Sequence, residues 1–452
     1  MPVFPRISLR KALVAGSFLP AMFLSAQNAK RPVLMISIDS MNPHYVFQAN
    51  AHSNEIPFLR SLLKESAYAE SVINVTPTIT NPNHVTLVTG TYPAKHGIFN
   101  NMLEAPAANV RGLQMEYGNA IRVKTLWQAA KAAGFTTANV NWPVTLGARG
   151  IDYNIPNVTL PGTAEDHFFL ETVSRPDGLV EHIEKTTGIF TAGMDEDDIA
   201  MPAAKIIIRE HKPLFLTVHL SGLDEAQHQN GPDSPEAFAA LAKIDKQVQE
   251  LVQNERAIYP AADIFIVSDH GFFPVTHVLN LNSEFVREGL ITVSQTPSEH
   301  ITSWKAYTWT GGGSAAVMLQ DPNDDVTRKK VAAILARLAK DPANGIARVI
   351  PKQEAAAFGG TPKTEFLIDC NSGFYVGRGL TTPLVAGVYQ KGTHGYLPTH
   401  PELQSSFFVM GPKIAKGKDL GVIDMRQIAP TVAAELGTSL PDAEKAALPI
   451  HP

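Results

Sequence analysis

Three aspartates and three histidines recur in one setting, at or just beyond the ends of short apolar runs. Asp39 closes "VLMISID", Asp224 and His228 sit in "SGLDEAQH" after "LFLTVHL", and Asp269 and His270 end "DIFIVSDHG". His394 lies in "KGTHGYLP", a turn whose glycines let the backbone come close to a ligand. Carboxylates and imidazoles are the donors of catalytic zinc and similar cations, and six of them suffice for two ions. The D-x-x-x-H spacing of Asp224 and His228 puts both side chains on one helical face. A hydroxyl completes the set. In "TITNPNHVTLVTG", Thr80 stands before Asn81-Pro82, where Asn favours a helix cap and Pro the first helical position. A hydroxyl at the positive end of a helix is placed to meet an anion. Singly, each residue also reads as a solvated pair, a turn or a cap. Their joint occurrence at successive strand ends argues for a metal centre.

The elements that must position these residues follow from the hydrophobic pattern. "VLMISID", "FTTANVN", "LFLTVHL", "DIFIVSD" and "SSFFVMG" read as buried strands, and "IPFLRSLLKESA", "VKTLWQAAKAAG", "AFAALAKIDKQVQELVQNE" and "IDMRQIAPTVAAELG" as helices, two of them ending at Gly. Such alternation predicts an α/β protein, a mostly parallel central sheet with helices on both faces, in which ligands gather at the carboxyl ends of strands. Between residues 272 and 392 the rhythm changes to "SAAVMLQ", "VTRKKVAAILARLAK" and "TEFLID", read as a smaller α+β insertion with "TGGGS" as a turn. Thr76 and Thr78 read as strand residues on the same face as Thr80, His84 and His96 as structural or supporting the site, and Asp245 as facing solvent or a nearby lysine.

Arg6, Arg10 and Lys11 precede an apolar run from Ala12 to Leu24 that closes in Ser25-Ala26, the layout of a secretory leader spanning residues 1–26. The run is too short to serve as a retained span, so the chain is expected to be exported to a periplasm or secreted, with residues 27–452 as the catalytic domain. Cleavage there removes three basic residues and takes the net charge from −5 to −8. A mildly acidic chain has no electrostatic footprint for nucleic acid. The single Cys370 excludes an intrachain disulfide and offers no thiolate metal site.

Together these segments resemble the nucleotide pyrophosphatase/phosphodiesterase branch of the alkaline phosphatase superfamily, carried by "ISIDS", "TPTITNPNHVTLVTGTYPAKHGIFNN", "VNWP", "LDEAQH", "IVSDHGF", "GTHGY" and "IDMRQIAPTVAAELGTSLPD". The resemblance implies an alkaline-phosphatase-like three-layer sandwich and a two-metal phosphodiesterase or nucleotide pyrophosphatase. It implies that Asp39, Asp269, His270 and Thr80 hold one zinc, that Asp224, His228 and His394 hold the other, and that manganese or iron suit the same donors. It makes Thr80 the nucleophile, through a covalent phosphoryl-threonine, and Asn101 a hydrogen-bond donor to a phosphoryl oxygen. Physically, a bound cation makes a threonine hydroxyl competent near neutral pH without a histidine base.

The implied substrate is a small phosphodiester. Nucleotide-cleaving members usually carry an aromatic directly after the nucleophile, where this chain has Asn81, so phosphonoacetate hydrolase-like and phosphomonoesterase activities are the alternatives. Tyr92, Trp142 and Phe272 are candidate aromatic walls. A non-catalytic metal-binding module is the reading from a different class.

Overall fold

Five strands with apolar residues on both faces build the centre of an eight-stranded sheet. Its order is Lys418–Asp419, Ala67–Tyr68, Phe407–Met410, Asp263–Val267, Val33–Ile38, Phe215–Leu220, Thr137–Val140, Tyr153–Ile155. The five from Asp263–Val267 to Tyr153–Ile155 run parallel. Phe407–Met410 is antiparallel to its neighbours. All five runs expected to be strands lie in this sheet, and the chain is an α/β protein with helices on both faces. The computed structural model describes residues 1–3, 31–50, 55–106, 110–160, 163, 165–189, 196–296 and 298–452. The chain divides into two units, Met1–Lys30 and Arg31–Pro452. The expected leader lies, apart from residues 1–3, outside the described residues, and the sheets, their cores and the site all belong to the second unit. Among the described residues no helix is long and apolar enough to cross a membrane.

Period-two alternation divides each strand between two cores. Leu34, Ile36, Ile38, Leu216, Val218 and Leu220 enter one apolar layer, shared with the helices Pro57–Glu65, Glu196–Ile206 and Pro235–Ile258. Val33, Met35, Phe215, Phe265 and Val267 enter the other, against Thr80–Thr89, Leu126–Ala132 and Ile428–Glu435. Gly134 and Gly437 follow the last two helices at φ 79° and 66°, a left-handed conformation that glycine adopts without strain.

Between Asp263–Val267 and Phe407–Met410 the chain builds a second sheet. Ala306–Thr310, Ser314–Leu319, Phe366–Cys370 and Ile346–Pro351 pair antiparallel, with the helix Asp325–Leu338 and a third apolar cluster that includes Leu279, Phe285, Val317 and Leu335.

Asp245 departs from its sequence reading. It is buried within Pro235–Ile258 and accepts N–H bonds from Phe58 (3.2 Å) and Leu59 (2.7 Å), capping the first turn of Pro57–Glu65 from another helix. That helix starts with Pro57 and has no capping side chain of its own, so its orphan donors take the carboxylate.

Candidate active site

Register decides where the acidic residues emerge. Ile38 pairs with Leu220 and Ser37 with Val267, so the three central strands end level. Asp39 leaves the first at that edge, with its N–H bonded to Leu220 O at 2.9 Å, and Asp269 and His270 leave the third. His270 Nε2 lies 3.4 Å from Asp39 Oδ1 and 3.2 Å from Asp269 Oδ2. All three residues are buried. Asp269 is oriented by the Ser40 N–H on Oδ1 (3.0 Å), and its carbonyl accepts from the Asn74 amide. Asp39 Oδ2 faces His219 Nε2 at 3.0 Å.

The second cluster combines a helix and a turn. Gly222–Asn230 carries Asp224 and His228 one turn apart, and His394 follows the short strand Gly392–Thr393. His228 Nδ1 donates to Gly392 O at 3.0 Å, which leaves Nε2 as a lone pair. That nitrogen lies 3.2 Å from His394 Nε2 and 3.4 Å from Asp224 Oδ2. His394 Nε2 lies 3.7 Å from Asp224 Oδ1. The His394 ring stacks on His270 with centroids 3.9 Å apart, joining the two clusters. Phe272 packs its ring edge against His228, 4.8 Å between centroids, and buttresses the imidazoles.

The two trios are groups that could each hold a metal ion. Within each trio the potential ligand atoms all lie within 4.8 Å of one another. Asp39 Oδ1, Asp269 Oδ2 and Asp224 Oδ1 are buried without a hydrogen-bond partner, although buried carboxylate oxygens ordinarily find one. Burial, and then the neighbouring Asp224 charge, pushes Asp39 well above the usual carboxylate range. Asp269 rises for burial and for the charge of Asp39, and Asp224 rises chiefly from burial. Burial holds His270 and His394 well below the ordinary imidazole value, which favours their neutral forms. Cations seated between the carboxylates would relieve this electrostatic conflict.

Thr80 is the first residue of Thr80–Thr89, with its Oγ1 3.5 Å from His270 Nε2. Buried His84 fixes it, donating Nδ1–H to Thr80 O (2.9 Å) while Nε2 accepts from Ser37 Oγ (2.9 Å). The expected cap is corrected. Pro82 is the third helical residue, and the Asn81 side chain donates to Met115 O (3.0 Å) instead of capping. Asn83 ties down the preceding bend, donating to Pro77 O and Ile79 O and accepting from Val75 N–H. Thr76 and Thr78 lie in that bend, before and after a cis Pro77, and not in a strand. Thr78 Oγ1 donates to Tyr396 O at 2.9 Å. A proline at position 77 removes the ladder donor a strand would need.

Asn101 Oδ1 accepts the Asn81 N–H at 2.8 Å, and the residue lines a cavity of about 590 Å³ together with Thr80, Asp39 and Asp224. None of the candidate aromatics lines it: Trp142 is buried, Tyr92 lies under the Arg426 guanidinium, and Phe272 backs the histidines. Sequence reasoning missed two supporting residues. His219, inside the buried strand "LFLTVHL", bridges Asp39 Oδ2 and Asn141 O, and a lone imidazole in an apolar strand was the available signal. Asp197 accepts the Ser221 and Gly222 N–H groups that open the Asp224 helix, a long-range cap with no local signature.

Residues 33–397 match the family model described as type I phosphodiesterase / nucleotide pyrophosphatase. Human ectonucleotide pyrophosphatase/phosphodiesterase family member 1 is 25% identical over 246 residues, 53% of this chain and 23% of that protein. Human family member 5 is 24% identical over 302 residues, 64% of this chain and 56% of that protein. The chain thus matches from about a quarter to just over half the length of these relatives. The solved structure of human ectonucleotide pyrophosphatase / phosphodiesterase 5 superposes with a TM-score of 0.64 at 16% identity, covering 91% of this chain and 96% of that one. An inactive murine form in complex with AMP gives 0.61 at 18% identity, over 92% and 97%.

Proposed function

The chain belongs to the type I phosphodiesterase/nucleotide pyrophosphatase family, and from that premise we propose that it hydrolyses phosphodiester or pyrophosphate bonds with Thr80 as nucleophile. One observation carries the reading: six carboxylate and imidazole side chains from four segments of the chain converge in two trios, one of them beside the Thr80 hydroxyl. Asp39, Asp269, His270 and Thr80 would hold one divalent cation, and Asp224, His228 and His394 the other, zinc suiting these oxygen and nitrogen donors. When bound, the cations supply Lewis-acid stabilisation to the hydroxyl and the phosphoryl oxygens.

The chain's own residues do the rest. Thr80 Oγ1 bonds to phosphorus as the ester or pyrophosphate oxygen departs, and water then cleaves the Oγ1–phosphorus bond. His84 holds the Thr80 carbonyl and so the orientation of the nucleophile. The Asn101 amide nitrogen, fixed by the bond from Asn81 N–H, donates to a phosphoryl oxygen as charge builds. Export to a periplasm or the exterior, through the leader at residues 1–26, belongs to the same proposal.

A second reading, cleavage of phosphonates or monoesters, is favoured by Asn81, whose amide is committed to Met115 O and offers no stacking face for a base. The assay that separates them uses zinc-loaded protein on bis(4-nitrophenyl) phosphate, 4-nitrophenyl phosphate and phosphonoacetate. Fastest turnover of the diester, abolished by Thr80→Ala, is the expected result. Diester turnover that survives Thr80→Ala removes the nucleophile assignment. Inactivity on all three leaves the non-catalytic metal-binding module.

A further inference from the structure

We propose, resting on the phosphodiesterase reading, that the catalytic cleft selects esters of neutral or cationic alcohols over phosphate chains, with Glu196 as the residue that sets this preference. The cavity that contains Thr80 and Asp224 is also walled by Glu116, Asp166, Glu196 and Glu225, and no lysine or arginine whose side chain is described lines it. Among the described residues Glu116, Glu196 and Glu225 form no ion pair with a basic residue; their partners are neutral. Glu116 Oε1 accepts the N–H and O–H of Thr159, both at 2.7 Å, and Glu225 accepts the Gln229 amide at 2.9 Å.

Glu196 is the most firmly placed of these. Its Oε2 accepts from Ser221 Oγ (2.9 Å), Asn157 Nδ2 (3.2 Å) and Asn141 Nδ2 (3.3 Å). Three donors hold this carboxylate in place at the start of Glu196–Ile206. The adjacent Asp197 caps the helix carrying Asp224 and His228, so Glu196 is fixed relative to the reacting groups.

Independently, Asp39 is only 3% exposed and lines the same cavity with Oδ1 unpartnered, which marks where the phosphoryl end of a ligand would be anchored. Three ligand carboxylates leave two divalent cations with a single net positive charge, which one diester anion matches. Each further phosphate on the substrate would face carboxylates with no basic group to receive it. Phosphate chains are ordinarily cradled by Lys, Arg or runs of backbone N–H groups, and this wall offers carboxylates instead.

The test compares kcat/KM for 4-nitrophenyl thymidine 5′-phosphate, with one charge, and ATP, with four, on zinc-loaded protein without magnesium. Wild type should prefer the first by about a hundredfold or more, a gap that narrows with added salt as screening sets in. Glu196→Gln keeps an oxygen for the three donors and removes the charge, so it should close the gap about tenfold, at the scale of one like-charge contact. Calorimetry should show ADP gaining on AMP by a similar factor in the variant. ATP cleaved as fast as the diester, or an unchanged ratio in either measurement, overturns the charge assignment. Inactivity on both substrates overturns the phosphodiesterase reading and this inference with it.

Discussion

Replacing Asn101 tests the proposal that its amide donates to the transferring phosphoryl group. In this proposal the side chain has two jobs: Oδ1 accepts the Asn81 N–H at 2.8 Å, and the amide nitrogen donates into the cavity that Asn101 lines with Thr80. Asn101→Ala removes both, and Asn101→Asp restores the acceptor while deleting the donor and adding a charge. Loss of one preorganised donor to a developing oxyanion costs about 3–4 kcal/mol, or 10²–10³ in kcat. Loss of the Asn81 bond costs about 1 kcal/mol of stability, a change readable as a small drop in Tm. Steady-state kinetics on an aryl phosphodiester should therefore show kcat falling by about two to three orders of magnitude in Asn101→Ala, with zinc content intact. Asn101→Asp should fall at least as far, although its Tm recovers. If Asn101→Ala retains kcat within about threefold, or if Asn101→Asp restores activity together with stability, the donor role is refuted and Asn101 serves only to hold Asn81.

Two further predictions concern buried carboxylates outside the site. Asp245→Ala should lower stability by about 1–2 kcal/mol, by uncapping the N–H groups of Phe58 and Leu59, and leave kcat unchanged; denaturant melts and kinetics check both halves. Glu255 is buried with neither carboxylate oxygen hydrogen-bonded, and desolvation pushes it up to about 7 from the ordinary 4.5. A folded-state pKa raised in this way gives stability that is fully present below pH about 4.5 and is lost as the pH rises to about 7. Glu255→Gln should match wild type at pH 4 and exceed it by up to about 3 kcal/mol at pH 8; equal pH profiles would contradict the assignment.

The sequence made the central sheet legible because its strands are buried on both faces, so "VLMISID" and "DIFIVSD" stand out as continuous apolar runs with acids at their ends. It also made the two candidate metal trios legible, since the register of parallel strands carries Asp39 and Asp269 to the same edge. What stayed hidden depends on partners far along the chain. Asp245 meets Leu59 across 186 residues, and Asp197 meets Ser221 across 24. On its own helix Asp245 has only local lysines nearby in sequence, and nothing local announces that it caps another helix. Thr76 and Thr78 had the period of a strand, but the proline between them and the demands of the Thr80 helix start turned the segment into a bend. Asn81 looked like a cap by residue type, whereas Asn83, one place beyond Pro82, donates its side chain to the carbonyls of Pro77 and Ile79.

The proposed chemistry requires the two trios to hold two cations, and counting bound ions probes it most directly. Protein equilibrated with zinc, desalted and analysed by plasma mass spectrometry should retain two ions per chain, falling to one in Asp269→Asn and to one in His228→Ala. Fewer than two ions in the wild type, or two ions retained by either variant, would contradict the account.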